Sequence, residues 1–241
     1  MAARLDADLR RAGDPERAAG ARAYLKHELA HYGVDARSLR EAMRPLLRQR
    51  DLDRTTLLEL AERLWERPVF ETRAAAAELL AKRVALLTPA DVPFVERLLR
   101  GSGTWALVDT LAPQVIGALV ERHPELHATL ARWAADEDFW IRRSALLAYL
   151  LPLRRGEGDF ARFAALADPL LGERQFFVRK AIGWVLRERS KKRPEQVYRW
   201  LLPRAARASG VTVREAVKYL EPTQREAILA RYRGARARLP R

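Results

Sequence analysis

Apolar residues recur at three- and four-residue spacing almost from end to end of the chain, and no run alternates apolar with polar positions as a half-buried strand would. The pattern predicts helices over 3–12, 15–32, 36–48, 52–65, 69–87, 90–99, 104–122, 124–134, 139–151, 160–170, 175–190, 194–202, 213–220 and 224–232. The breaks have local causes. Asp14-Pro15 and Thr88-Pro89 suit helix entry, Gly33 can take the left-handed conformation that closes a helix, and Pro68 and Pro222 interrupt.

A longer period overlies the helical one. Phe70, Trp105, Trp140 and Phe177 follow one another at intervals of 35, 35 and 37 residues, the length of one antiparallel helix pair. Such an array predicts an all-α, HEAT-like α-solenoid in which each pair buries its apolar face on the next and the second helices line a concave groove. A chain of 241 residues arranged this way is expected to form a single domain, 1–241. Three positions after each aromatic stand Arg73, Val108, Arg143 and Lys180, so most repeats are expected to aim a cation outward one turn from an aromatic anchor. The second repeat instead carries Asp109, four residues and so one face from Trp105. Either the indole packs beneath the carboxylate or both face the groove.

Charge makes the groove basic. The net charge is +14, and it is concentrated: residues 171–241 hold 19 Lys and Arg against 6 Asp and Glu, whereas residues 1–170 hold 26 against 25. A cationic C-terminal third attracts a polyanion, and for DNA the release of counterions makes affinity fall steeply with salt. Zero cysteines exclude disulfides, thiolate metal sites and cysteine nucleophiles. No apolar stretch approaches the roughly 18 residues of a membrane span, and the start, MAARLDADLRR, is too charged for a secretory core, so a cytoplasmic protein without membrane association is expected. No phosphate-cradling, dinucleotide-binding or serine-hydrolase glycine motif is present. His27-Glu28-Leu29-Ala30-His31 spells H-E-x-x-H, but the third ligand and the substrate-binding strand of a zinc protease are missing, so no metal site is assigned. His123 and His127 flank a helix start at Pro124 and are taken as capping or surface residues.

Several segments together resemble the HEAT-like repeat DNA alkylation repair glycosylases of bacteria. They are DPERAAGARAYLKHELAHYGV, LWERPVFETRAAAAELL, GTWALVDTLAP, RHPEL, DFWIRRSALLAYL and FFVRKAIGWVLRERSKKRPEQV, and the last is the most specific. The resemblance implies a catalytic aspartate at Asp109, flanking active-site tryptophans at Trp105 and Trp184, an active-site arginine at Arg143 and a DNA-facing tyrosine at Tyr24. Lys26, Arg179, Lys180, Arg187, Arg214 and Lys218, with Arg143, are the candidate contacts to the phosphate backbone. Thr104 and Ala106 depart from the family pattern, which often has Trp or Asn and Asp there, and this bears on helix entry.

The implied activity is hydrolysis of the N-glycosidic bond of cationic purines such as 3-methyladenine and 7-methylguanine in duplex DNA, without full extrusion of the base. No cofactor is expected, and the protein is expected to act as a monomer that joins the nucleoid when bound to DNA. No lysine stands beside Asp109 to form a Schiff base, so an abasic product is expected rather than a nicked strand. The rival readings are a non-catalytic DNA-binding paralogue and a protein-binding HEAT scaffold.

Overall fold

The computed structural model describes residues 1–49 and 51–237. The chain is all-α, and among the described residues the sole β feature is an isolated bridge between Ala30 and Val69. Contacts divide it into two compact units, Met1–Leu119 and Val120–Arg241.

The first unit contains α1 (Ala2–Arg11), α2 (Pro15–Leu25), α3 (Ala36–Leu47), α4 (Arg54–Trp65), α5 (Phe70–Lys82), α6 (Val92–Arg100) and α7 (Trp105–Leu111). α4 packs on α5 and α5 on α7, around Leu57, Leu64, Leu79, Leu80, Leu107, Val108 and Leu111. Short side chains make the close approach possible: Ala75, Ala76 and Ala77 are all buried in α5. Asp14, Asp35 and Asp53 accept backbone N–H bonds at the starts of α2, α3 and α4, satisfying donors that a helix start leaves without partners.

The helix predicted over 15–32 ends at Leu25. Lys26 takes the left-handed conformation (φ 51°, ψ 51°), and the chain then runs irregularly beside the start of α5. There the Ala30 N–H donates to the Pro68 carbonyl (2.9 Å) and the Phe70 N–H to the Ala30 carbonyl (2.9 Å), so tertiary pairing overrides helical propensity. Glu71, only 3% exposed, accepts from the backbone N–H groups of Tyr32 (3.0 Å), Gly33 (2.7 Å) and Val34 (3.2 Å). Gly33 is required at this turn: its φ is +79°, and a Cβ would lie 2.0 Å from the Asp14 carbonyl oxygen.

The second unit begins within α8 (Gly117–Arg122) and continues through α9 (His127–Ala134), α10 (Phe139–Leu147), α11 (Leu150–Arg155), α12 (Phe160–Ala167), α13 (Phe176–Ser190), α14 (Pro194–Leu201), α15 (Gly210–Ala216) and α16 (Pro222–Ala237). Its axis is α13, which packs against α10, α11, α14 and α15 and buries Val178, Ala181, Ile182, Val185 and Leu186. The predicted helix pairs are present, but the helices predicted over 69–87, 104–122 and 139–151 are broken into shorter ones at Arg83, Pro113 and Tyr149.

Replacing Glu71 by Ala leaves three backbone donors without their acceptor and is expected to cost about 2–4 kcal/mol of unfolding free energy. Urea denaturation of the variant beside the parent protein measures it, and a change within about 0.5 kcal/mol, the range of an ordinary surface substitution, contradicts the structural role of this carboxylate.

Candidate active site

α7 resolves the position of the acid. Leu107, Val108 and Leu111 are buried in the first unit, while Trp105, Ala106, Asp109 and Thr110 are half-buried along the opposite face. Trp105 and Asp109 therefore share one partly open helix face, as their spacing requires. Tyr24, 72% exposed at the end of α2, sets its ring edge-on to the Trp105 indole, with centroids 5.9 Å apart and planes at 86°. Thr104 starts the helix with its hydroxyl oxygen accepting from the Ala106 N–H (3.4 Å), so the departure from the family pattern at Thr104 leaves a working cap.

Directly after α7 the ladder widens into a π turn, Ala112–Ile116, in which the Gly117 N–H reaches the Ala112 carbonyl five residues back. Pro113 is the cause. It stands four residues after Asp109 and lacks the N–H that an α-helix would donate to the Asp109 carbonyl, so the next turn is rewound. The sequence contained this signal in Pro113 itself, but the expected helix over 104–122 ran through it.

In the second unit, Lys180, Trp184 and Arg187 lie at positions i, i+4 and i+7 of α13, on one half-buried face. Gly183 lets α15 come close: a Cβ there would meet the Glu215 Cβ at 2.7 Å. This approach brings in Glu215, which the sequence did not single out. Its carboxylate accepts from Lys180 Nζ (2.8 Å), Lys218 Nζ (2.9 Å) and an Arg187 terminal nitrogen (2.5 Å). These three cations hold the Glu215 pKa down to about 2 against the burial that would raise it. Three of the expected phosphate contacts are thus gathered around one carboxylate and jointly retain a net positive charge.

The other expected contacts differ in placement. Arg214 on α15 is exposed, as are Lys218 and Lys26, and Arg179 is half-buried with its Nε donating to the Glu173 carbonyl (2.5 Å). Arg143 is only 2% exposed; it donates to the Phe177 carbonyl, with its guanidinium 5.9 Å from the centroid of the Phe177 ring. Arg73 also turns inward, onto the carbonyls of Trp65 (3.0 Å), Arg67 (3.2 Å) and Gly101 (2.8 Å). The expectation that the repeats aim these cations outward is therefore corrected at Arg73 and Arg143: the carbonyls at the ends of α4 and α6 need donors, which Arg73 supplies, and Arg143 is drawn inward onto the carbonyl and ring of Phe177 at the start of α13.

His27 and His31 do not share a helix face. Their rings stack at 4.9 Å and lie against Phe70, and burial lowers the pKa of both. Among the described residues no group of three His, Cys, Asp or Glu side chains is disposed to hold a metal ion. No helix of the described residues is long and apolar enough to cross a membrane.

An all-α chain with an acid and an indole on one open helix face, and a carboxylate-organised cation cluster on another helix, has the parts of a protein that acts on a nucleic acid. A sequence profile for the family described as DNA alkylation repair enzyme matches residues 5–220, and the chain belongs to that family. Among solved structures, one titled a predicted DNA alkylation repair enzyme from Enterococcus faecalis is similar, with a TM-score of 0.78 and 25% sequence identity, covering 87% of this chain and 97% of that one. A search of curated proteins gave no match.

The depressed Glu215 pKa has a sign. Because the folded value, about 2, lies below the ordinary 4.5, the cluster contributes stability that is complete above about pH 4.5 and is lost as pH falls toward 2. Glu215→Gln is expected to remove that part of the acid dependence. Chemical denaturation midpoints at descending pH check it, and parallel curves for parent and variant would contradict it.

Proposed function

We propose that the protein is a monofunctional DNA glycosylase that hydrolyses the N-glycosidic bond of cationic alkylated purines, 3-methyladenine and 7-methylguanine among them, in duplex DNA. The observation that carries this reading is the shared half-open face of Trp105 and Asp109 on α7, with Tyr24 against the indole. Family membership supplies the alkylated-DNA context.

Alkylation at N3 or N7 leaves a formal positive charge on the purine. The base then departs without protonation, so the reaction needs no general acid. What requires stabilisation is the deoxyribose as it gains oxocarbenium character, and a fixed carboxylate in a partly dry site does this while orienting the attacking water. Asp109 takes that role. The negative face of the Trp105 indole favours a cationic base over a neutral one, by about 1–2 kcal/mol.

Within the second unit, Trp184 offers an indole face to the DNA, and Arg143 is a buried, fixed cation rather than a phosphate clamp. Lys180, Arg187 and Lys218, held by Glu215, bind the phosphate backbone together with Lys26, Arg179 and Arg214. Phosphate contacts position the duplex against the half-open face of α7, and the lesion is cut without full extrusion of the base. Water as the nucleophile leaves an abasic site and an intact strand.

Asp109→Asn is expected to lower base release from methylated duplex about 10²–10³-fold while duplex affinity is kept. Chromatography of released bases and a parallel binding titration measure the two quantities; undiminished release removes Asp109 from the chemistry. Arg187→Ala is expected to reduce the slope of log affinity against log salt by about one, uniformly across sequences, and an unchanged slope removes Arg187 from the phosphate contacts.

A further inference from the structure

Within the second unit, a cavity of about 930 Å³ lies where the end of α13 meets α14, lined by Arg189, Lys192, Arg193, Arg199 and Arg204, with Phe160 and Trp200 as its apolar wall. Arg189 distinguishes this cavity from an ordinary basic surface. It is 5% exposed, and its protein partners are neutral: Nε donates to the Gln196 side-chain oxygen (2.8 Å), one terminal nitrogen donates to the Glu157 carbonyl (2.7 Å), and the guanidinium lies 5.9 Å from the Phe160 ring centroid. Among the described residues its second terminal nitrogen takes no protein acceptor.

The acids nearby are occupied. Glu195, also in the lining, accepts from Arg199 Nε (2.6 Å) on one oxygen and from the Gln224 amide (2.7 Å) on the other. The Glu157 carboxylate accepts from Arg155 Nε (2.9 Å). Arg204 is drawn to Asp168 (2.7 Å) and lies over the Trp200 ring at 5.0 Å. Lys192 and Arg193 are exposed at the rim. Burial lowers the Arg189 pKa, and the neighbouring charge of Arg193 lowers it further. The Arg189 charge is thus held on neutral partners beside the like charge of Arg193, and an anion in the cavity would neutralise it.

We propose that this cavity binds the phosphate group of a nucleotide, with Arg189 and the rim cations Lys192 and Arg193 on the phosphate oxygens and the sugar or base against Trp200. The remaining terminal nitrogen of Arg189 supplies one charge-assisted donor to a phosphate oxygen, and the apolar wall suits a nucleoside better than a bare inorganic ion. The source is either a free nucleotide or a nucleotide of a DNA strand. None of the residues assigned to glycosidic hydrolysis lines the cavity, and the inference stands without that assignment.

The test compares the parent protein with Lys192→Glu/Arg193→Glu, an exposed pair, and with Arg189→Gln. Thermal unfolding is followed in chloride, inorganic phosphate and deoxyadenosine monophosphate at matched ionic strength, and affinity is measured for an unmodified duplex. If the source is a free nucleotide, the monophosphate raises the melting temperature of the parent by a few degrees, inorganic phosphate raises it less, and both variants lose the response. If the source is a DNA strand, the small anions have little effect, and the double variant loses duplex affinity and lowers its salt slope by about two. Equal responses of parent and double variant to every probe overturn the proposal, and that comparison decides the matter even if Arg189→Gln does not fold. Base release from methylated duplex, followed in parallel, reports the glycosylase activity separately.

Discussion

Short helices impose the constraint on which much of the structure depends. Each helix leaves four N–H groups and four carbonyls without intrahelical partners, and a chain of many short helices has many such ends to satisfy. Here the N-terminal donors go largely to aspartates, as at Asp14, Asp53, Asp138 and Asp159. Carbonyls near the C-terminal ends are met by arginines. Arg83 reaches the carbonyls of Leu47 (2.6 Å) and Gln49 (2.7 Å) at the close of α3, Arg142 those of Asp136 (2.7 Å) and Glu137 (2.8 Å) beyond α9, and Arg204 that of Trp200 (3.1 Å) in α14. The arginine content is therefore partly structural, and net charge overstates how many cations face a polyanion.

Buried carboxylates complete the same scheme. Glu71, Asp91, Glu188 and Glu215 are nearly inaccessible, and each is surrounded by several donors. Asp91 accepts a bidentate pair from Arg54 and the Thr88 N–H (2.8 Å), which closes a capping box ahead of α6. Glu188 gathers Arg154, Arg187 and Lys191, and Glu215 gathers Lys180, Arg187 and Lys218. Arg187 bridges the two acids. A single carboxylate thereby fixes long flexible side chains that would otherwise lose conformational entropy on meeting a ligand.

Most of the fold was legible in the sequence because period and punctuation are local. Helix entries at Asp14-Pro15 and Thr88-Pro89 depend on neighbouring residues alone, and the shared face of Trp105 and Asp109 follows from a four-residue spacing. What escaped was set by distant partners. Nothing near Leu25 announces that Ala30 will bond to Pro68 and Phe70, and nothing near Glu215 announces that Gly183, in another helix, will admit it to Lys180 and Arg187. The direction of Arg73 and Arg143 depends equally on which carbonyls the fold places beside them. The candidate site was thus readable in its chemical groups but not in its supporting contacts.

α2 buries no side chain of its own. Its start is fastened where the Asp14 N–H donates to the Tyr32 carbonyl (2.8 Å) and Arg17 Nε to the Gly33 carbonyl (3.1 Å), and its far end touches Trp105 through Tyr24. With so little apolar surface to withdraw from water, it opens at lower free-energy cost than α4 or α5, whose leucines lie in the core. The most exposed tyrosine of the chain therefore rides on the segment that amide exchange and limited proteolysis reach early, and contact between that ring and the indole can be made or released while the core stays folded.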